Sequence, residues 1–270
     1  MAAGLLTFLS VSATVVASHV HLQVAWQSNA LVLEIYDFEA GSFPSDAFPF
    51  VIGNAGMNLI PAAPSFAFLG EADATFFALP QDENPNLPFL GIGVDNVPAG
   101  TFTGNHVNLR LVSISGPGHF ALYQVNAFGQ PTAQMNSRDG MAPDSDRLVL
   151  APGTHEHQNW AFSAPGEYQV TFVADAVRQT TGQTVASPPT TYRFRILPPP
   201  GARIELIRSA GAGFDLMLQS RAGARLRLLE STDLLHWTTN AAWLLTAPNW
   251  QTNLPANGGR RFWRAEEVFP

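Results

Sequence analysis

Two His-x-His pairs are the most distinctive chemical feature of this 270-residue chain. The first pair is His19 and His21, and the second pair is His155 and His157. Side chains two positions apart on a β-strand point to the same face, with their Cα atoms about 6–7 Å apart. Two imidazoles at that spacing can bind one metal ion, and two such pairs would supply a four-nitrogen shell. The spacing therefore predicts one metal site made of all four histidines.

Each pair also has an explanation without a metal. His155 and His157 could cap the edge of a strand by hydrogen bonding to backbone carbonyl groups beside Asn159 and Trp160. The first pair could consist of solvent-facing side chains on a first strand. Under the metal hypothesis, Asn159 would orient a ligand through a hydrogen bond and Trp160 would form an apolar wall of the site.

The ligand types limit the choice of metal. The chain has no cysteine, which excludes thiolate ligands and disulfides. Neutral imidazole favours Zn, Cu or Ni over Ca or Mg. A closed four-histidine shell predicts a structural or carrier site, because catalysis needs an open coordination position. A second hypothesis requires cleavage just before His19, whose amine and ring nitrogen could then bind copper in a carrier or, less readily, an oxidative enzyme.

Other candidate groups carry weaker signals. His119 follows a glycine at a turn and is a possible further ligand, although a turn histidine with its own hydrogen bonds is favoured. The acidic segment 139–146 has the oxygen density of a calcium loop, but its spacing matches no EF-hand and favours a solvated turn. The hydrolase motifs Gly-x-Ser-x-Gly and His-Glu-x-x-His are missing. The sequence therefore predicts a binding protein and not an enzyme.

Composition predicts a folded protein. Hydrophobic residues make up 46% of the chain and charged residues 13%, which is typical of a globular protein. The net charge of −7 argues against a nucleic-acid partner.

Residues 1–18 form an uncharged apolar run that predicts a signal peptide, with a buried first strand or helix as the alternative. We expect a secreted, periplasmic or cell-surface protein, associated with a membrane only through an anchor that the sequence does not reveal.

The elements that must position the histidines are strands. Alternation of apolar and polar residues over 19–26 and 30–36 predicts a hairpin, and 166–174 predicts the strongest strand. The pattern favours an all-β fold, with an immunoglobulin-like antiparallel β-sandwich over residues 19–197. A Pro-rich linker at 198–201 would lead to a small β domain at 202–270 with a core of four tryptophans, Trp237, Trp243, Trp250 and Trp263. A change in net charge, from −9 over 19–200 to +2 over 201–270, supports this division.

Several segments of the first domain resemble one bacterial family. They are His19–His21, Pro88–Gly91, Gly116–Phe120, Gly153–Phe162 and Pro165–Tyr168, and the most specific is the His-x-His-x-Asn-Trp run within Gly153–Phe162. Over about residues 19–197 the chain resembles the surface-anchored protein domain of the "choice-of-anchor M" type, an actinobacterial surface-anchored repeat. The family's first strand usually reads His-Val-Asp, whereas this chain has His21 in the third position, so an oxygen ligand would be replaced by nitrogen.

The resemblance implies metal capture at the cell surface, because genes for relatives often lie near metal-transport components. Together with the histidines, it predicts a secreted or envelope protein that captures or delivers Zn or Cu, with a metal-transport system of the envelope as its expected partner. The competing hypothesis is a structural or adhesive surface module without a metal. A third hypothesis is carbohydrate recognition by exposed aromatic side chains such as Trp26 or Trp243.

Overall fold

The computed structural model describes residues 18–142, 144–198, 203–208, 213–220, 225–244, 249–255 and 261–267. The protein is 55% strand and 6% helix, so the all-β prediction is confirmed. The helical residues form three short 3-10 segments at Asn54–Gly56, Pro64–Leu69 and Thr103–Asn105. No helix in these ranges is long and apolar enough to span a membrane. Except for Ser18 and Pro198, the predicted signal peptide and linker lie outside the described residues.

The chain divides into two compact units. The first extends to residue 198 without Asp73–Thr75, and the second contains that segment together with residues 199–270. Within the described part of the first unit the strands form three sheets. The sheet that carries the His-x-His pairs, called the histidine sheet below, has the order β12-β7-β1-β2-β3, with β1 (His19–Gln27), β2 (Ala30–Asp37), β3 (Gly41–Phe43), β7 (Phe89–Gly93) and β12 (His155–His157).

The other two sheets supply most of the remaining core. One has the order β10-β9-β13-β6-β5 and contains β5 (Met57–Leu59), β6 (Thr75–Leu79), β9 (Phe120–Val125), β10 (Pro131–Asn136) and β13 (Asn159–Phe162). The other has the order β11-β8-β14-β16-β4, with β15 beside β14, and contains β4 (Phe50–Ile52), β8 (Val107–Ser115), β11 (Arg147–Leu150), β14 (Gly166–Val177), β15 (Thr184–Ala186) and β16 (Thr190–Ile196).

Two strand pairs differ from the purely antiparallel arrangement that was expected. β1 pairs with β7 in parallel, and β16 pairs with β4 in parallel. One edge of β1 is already taken by its hairpin partner β2, so β7 joins the other edge after a long excursion of the chain. Two of the three sheets are therefore mixed, and the immunoglobulin-like sandwich remains a prediction.

The β1–β2 hairpin is the element that sequence patterning predicted best. Ser28 and Asn29 form its two-residue turn with positive φ angles of 50° and 64°, a backbone twist that suits tight hairpins. Along β1, Val20 and Leu22 are buried in the apolar core. His19 and His21 alternate with them and therefore share the opposite face of the sheet.

One apolar core joins the three sheets of the first unit. Trp160 on β13 is fully buried, and its ring centroid lies 6.0 Å from that of Phe172 and 5.7 Å from that of Phe194. Its indole Nε1 donates a hydrogen bond of 3.2 Å to the carbonyl of Leu90 on β7. This hydrogen bond thus joins the core directly to β7 of the histidine sheet.

The second unit has two sheets in its described residues. One has the order β17-β18-β21, with β17 (Arg203–Arg208), β18 (Gly213–Gln219) and β21 (Asn249–Pro255), and the other has the order β20-β19-β22, with β19 (Arg225–Ser231), β20 (Thr238–Leu244) and β22 (Phe262–Glu267). The prediction of a tryptophan core is wrong in part. Its buried centre consists of four leucines, Leu216, Leu218, Leu226 and Leu228, against which Trp243 and Trp263 pack. Trp237 lies outside it beneath the guanidinium of Arg264, and the Trp250 side chain is outside the described part.

Candidate metal centre

Strand β7 brings the two His-x-His pairs together by lying between them. Its residue Gly91 pairs with His21 on β1 and with His157 on β12. His19 pairs with Phe89, two residues before Gly91 in β7. His155 pairs with Gly93, two residues after Gly91. The four histidines therefore lie on the same face of one sheet, in the three cross-strand rows that pass through Phe89, Gly91 and Gly93.

Two glycines on β7 make room for the imidazole rings. A Cβ atom on Gly91 would lie 2.7 Å from Cδ2 of His21 and 2.9 Å from Cε1 of His157. A Cβ atom on Gly93 would lie 2.8 Å from Nδ1 of His21. These distances are far below the carbon contact distance of about 3.5–4.0 Å, so only glycine lets rings from both neighbouring strands lean over β7.

Three of the imidazoles converge through their Nε2 atoms. Nε2 of His19 lies 3.2 Å from Nε2 of His157 and 3.2 Å from Nε2 of His21. Candidate ligand atoms of all three residues lie within 4.8 Å of one another, and among the described residues this is the only group of three or more such side chains that could hold a metal ion. We call His19, His21 and His157 the histidine triad.

The spacing of the triad fits a transition-metal ion. Zn–N bonds of about 2.0–2.1 Å in tetrahedral geometry place two ligand nitrogens about 3.3 Å apart. The observed separations of 3.2 Å agree with that value. Two of the three separations within the triad therefore match shared ligation of one ion, and all three ligand atoms lie within 4.8 Å of one another, which is compatible with metal binding.

The triad is held in its uncharged form. Burial, followed by the charges of His155, His19 and His157, lowers the pKa of His21 to about 3. Burial, followed by the charges of His19 and His155, lowers the pKa of His157 to about 4. The pKa of His19 is also lowered, mainly by burial and by His155, although Glu83 and Asp37 act in the opposite direction. At neutral pH all three rings are therefore neutral, as metal ligation requires.

Two buried ring nitrogens lack a hydrogen-bond partner. Nδ1 of His21 and Nδ1 of His157 are both buried without one. If Nε2 of each ring binds a metal, Nδ1 must carry the proton and needs an acceptor. Asp95 Oδ2 lies 3.8 Å from Nδ1 of His21, and the backbone of Leu90, which acts to raise the pKa of His157, lies near the second ring. Acceptors for the metal-binding tautomer are thus already close.

Aromatic rings fix the orientation of the triad. His157 stacks on Phe89 with ring centroids 3.6 Å apart and an interplanar angle of 7°. His19 stacks on Phe38 with ring centroids 4.3 Å apart, and the same phenyl ring meets His21 edge-on at 4.7 Å. The Phe38 side chain is exposed at the surface, so it covers the site on its solvent side.

His155 lies beside the triad, and together the four residues form what we call the histidine cluster. The His155 ring is farther from His19 and His157 than the triad rings are from one another. Its ring centroid lies 4.8 Å from that of His21, 6.3 Å from that of His19 and 6.0 Å from that of His157. Its Nδ1 faces Oδ1 of Asp95 at 3.4 Å. The structure thus brings all four predicted histidines together, with three of them close enough to share one ion.

Two of the other predicted residues have different surroundings. His119 lies at the start of β9 in another sheet, where its backbone N–H donates to Oγ of Ser163. Asn159 makes its side-chain hydrogen bonds with Gln81 and the Tyr123 carbonyl, so it braces β13 against its neighbours. Asn159 therefore bonds to groups outside the triad, and His119 lies outside the sheet that carries the triad.

Trp160 meets the expectation of an apolar wall only indirectly. Its indole N–H donates to the Leu90 carbonyl from the core side of β7, whereas the triad lies on the opposite face. Trp160 therefore positions the strand that carries Gly91 and does not line the metal position.

Sequence reasoning missed three contributors to the site, namely Gly91, Gly93 and Asp95. The two glycines alternate with the buried residues Leu90 and Ile92, and isolated glycines in a strand often mark a close approach of neighbouring groups. Asp95 follows this strand and gave no signal of its own. No protein-family model matches the chain, and no curated protein sequence matches it.

Proposed function

We propose that this chain is a secreted or cell-envelope protein that binds a transition-metal ion, Zn or Cu, and captures or delivers it without catalysing a reaction. The observation that carries the proposal is the convergence of three Nε2 atoms from distant parts of the sequence, with His19 Nε2 lying 3.2 Å from its counterparts in His21 and His157. The same separations also fit N–H···N hydrogen bonds between neutral imidazoles, and metal analysis distinguishes the two cases.

The surroundings of the triad also suit a cation. The rings are uncharged at neutral pH, and the acidic side chains of Asp37, Glu83 and Asp95 surround them. Negative side chains around a neutral ligand set raise the local concentration of divalent cations. The strands hold the ligands in place before binding, so the entropy cost of assembling the site is small.

The proposed location and recipient rest on other features. The apolar segment 1–18 supports export, and the resemblance to surface-anchored domains supports a position at the cell surface or in the periplasm. A metal-transport system of the envelope would be the partner that receives the ion.

Metal analysis of protein purified without a polyhistidine tag tests the proposal. We expect the wild-type chain to retain about one equivalent of Zn or Cu after dialysis, the stoichiometry of a single closed site. His157→Gln should retain almost none, because the side chain loses a ligand nitrogen while keeping a similar size. The matched control is His119→Gln, an exposed histidine outside the cluster, which should bind like the wild type.

Two outcomes would favour the alternatives. If the wild-type chain retains no more metal than His157→Gln, the metal proposal is contradicted and the structural or adhesive module remains. The copper hypothesis that uses a terminal amine requires His19 to begin the mature chain. Copper binding that disappears when the chain starts at Ser18 instead of His19 would support that version over the triad.

A further inference from the structure

His155 is placed to complete the coordination shell. Four imidazoles that bind one metal tetrahedrally through Nε2 have ring centroids about 5.2 Å apart. The three distances within the triad are 5.0, 5.1 and 5.6 Å. The distance from His155 to His21 is 4.8 Å, while those to His19 and His157 exceed the shared-metal value by about 1 Å. A small rotation of one side chain would bring His155 into the fourth position.

Asp95 connects His155 to the triad. Its Oδ1 faces Nδ1 of His155 at 3.4 Å, and its Oδ2 faces Nδ1 of His21 at 3.8 Å. A carboxylate beside Nδ1 holds the proton there and leaves the Nε2 lone pair free for a metal. Because Nδ1 of His21 is buried without a hydrogen-bond partner, a slight closure of Asp95 would satisfy it.

The backbone fixes Asp95 and His155 relative to each other. The N–H of Val94 donates to the Thr154 carbonyl at 2.8 Å, and the N–H of Gly153 donates to the Val94 carbonyl at 2.9 Å. These two bonds join the residue before Asp95 to the residues before His155. The carboxylate and the imidazole therefore stay within reach while the side chains move.

Exposure distinguishes His155 from the buried part of the cluster. The His155 side chain is 45% exposed and that of Asp95 is 41% exposed, whereas the His21 side chain is fully buried. His155 also begins β12, a three-residue strand at the edge of the histidine sheet. Local opening costs least at such edges, so His155 is the ligand that can leave while the triad remains in place.

We propose that His155 is the exchangeable fourth ligand of the metal and that Asp95 is its positioning residue. This proposal rests on the proposed function. His155 closes the shell when the metal is bound and withdraws toward Asp95 when the metal is taken up or released. A site that closes in this way excludes other ligands, which suits a carrier.

Cobalt(II) substitution and azide binding test the proposal. In wild-type protein loaded with Co(II), we expect the visible absorption spectrum to be unchanged by azide, because His155 fills the fourth position. In His155→Ala the triad still binds Co(II), and azide should change the spectrum. His155→Ala should also release metal to a competing chelator at least about 10-fold faster. The control is His106→Ala, which should match the wild type.

The positioning role of Asp95 is tested in the same assay. Asp95→Asn removes the charge at constant size, so we expect about 10-fold weaker Co(II) binding and partial azide sensitivity. Asp95→Glu should restore most of the wild-type behaviour. A merely structural role for Asp95 would leave azide sensitivity unchanged, and that result would overturn its assignment.

The outcomes separate this proposal from the proposed function. If azide changes the wild-type spectrum as much as that of His155→Ala, the fourth position is open and the role of His155 is overturned, while metal binding stands. If wild-type protein binds no Co(II), Zn or Cu, both proposals fall together.

Discussion

Replacing Gly91 by alanine should remove the metal site while keeping the fold. The new Cβ would lie 2.7 Å from Cδ2 and 2.9 Å from Nε2 of His21, and 2.9 Å from Cε1 of His157. The groups in the way are the ends of two side chains and not backbone. The two imidazole rings can therefore move aside while the backbone of the strands stays in place.

The size of the effect follows from these distances. Restoring a normal contact of about 3.5 Å requires ring displacements of about 0.6–0.8 Å. Metal–ligand distances tolerate deviations of only about 0.2 Å, so at least two of the three ligands are lost together. We expect Zn binding to weaken by about 100-fold or more. Overpacking costs about 1–3 kcal/mol of stability, and the strand preference of alanine over glycine returns about 0.5–1 kcal/mol.

The assay is competition with a chromophoric zinc chelator, combined with urea unfolding of the metal-free protein. Gly53→Ala is the matched control, because a Cβ there would meet its nearest atom, Cδ1 of Leu197, at 3.9 Å. We expect Gly53→Ala to bind Zn like the wild type. A Gly91→Ala protein that binds Zn with wild-type affinity would refute the argument that the rings meet a metal over this strand.

Three further predictions follow from the same contacts. The folded-state pKa values of His21 and His157 are about 3 and 4, below the ordinary 6.5. Between pH 4.5 and 6.5 the unfolded state therefore binds more protons than the folded state. The metal-free protein should therefore lose about 1.4 kcal/mol of unfolding free energy per histidine for each pH unit below 6.5, and urea unfolding that is independent of pH between 4.5 and 6.5 would contradict this. Asn159→Ala should destabilise the fold by about 1–3 kcal/mol in urea unfolding but leave Zn affinity within about twofold, whereas a large loss of affinity would return Asn159 to the site. Trp160→Phe should cost about 1–3 kcal/mol in the same assay, because it removes the buried hydrogen bond from the indole N–H to the Leu90 carbonyl, and an unchanged urea midpoint would argue against that bond.

The local parts of the site could be predicted from the sequence. Alternation in His19–Gln27 and the tight turn at Ser28 and Asn29 determine the hairpin, and the two-residue spacing places His19 and His21 on one face. The same argument applies to His155 and His157 on β12. These conclusions depend only on strand geometry, which is a property of neighbouring residues.

The long-range parts could not be predicted in this way. The triad depends on β7 joining β1 in parallel and β12 in antiparallel pairing, which places His21 and His157 in the same row as Gly91. Such registers are set by packing between segments far apart in the chain, for which a single sequence carries no direct signal. The pairing directions also explain why His19 and His155 fall on opposite sides of that row.

Under the proposed function, the order of these cross-strand rows bears on whether the site would store a metal ion or exchange it. The triad lies over paired strands whose opposite faces are buried in the core, so its geometry changes little and the affinity it provides is preorganised. If the fourth ligand came from an equally buried strand, the ion could leave only when part of the sheet opened. Because His155 lies on an exposed edge strand beside Asp95, loss of that ligand alone would open the shell to a chelating partner. Affinity and exchange would then reside in different residues, so His157→Gln should reduce how much metal is bound while His155→Ala chiefly increases how fast it leaves.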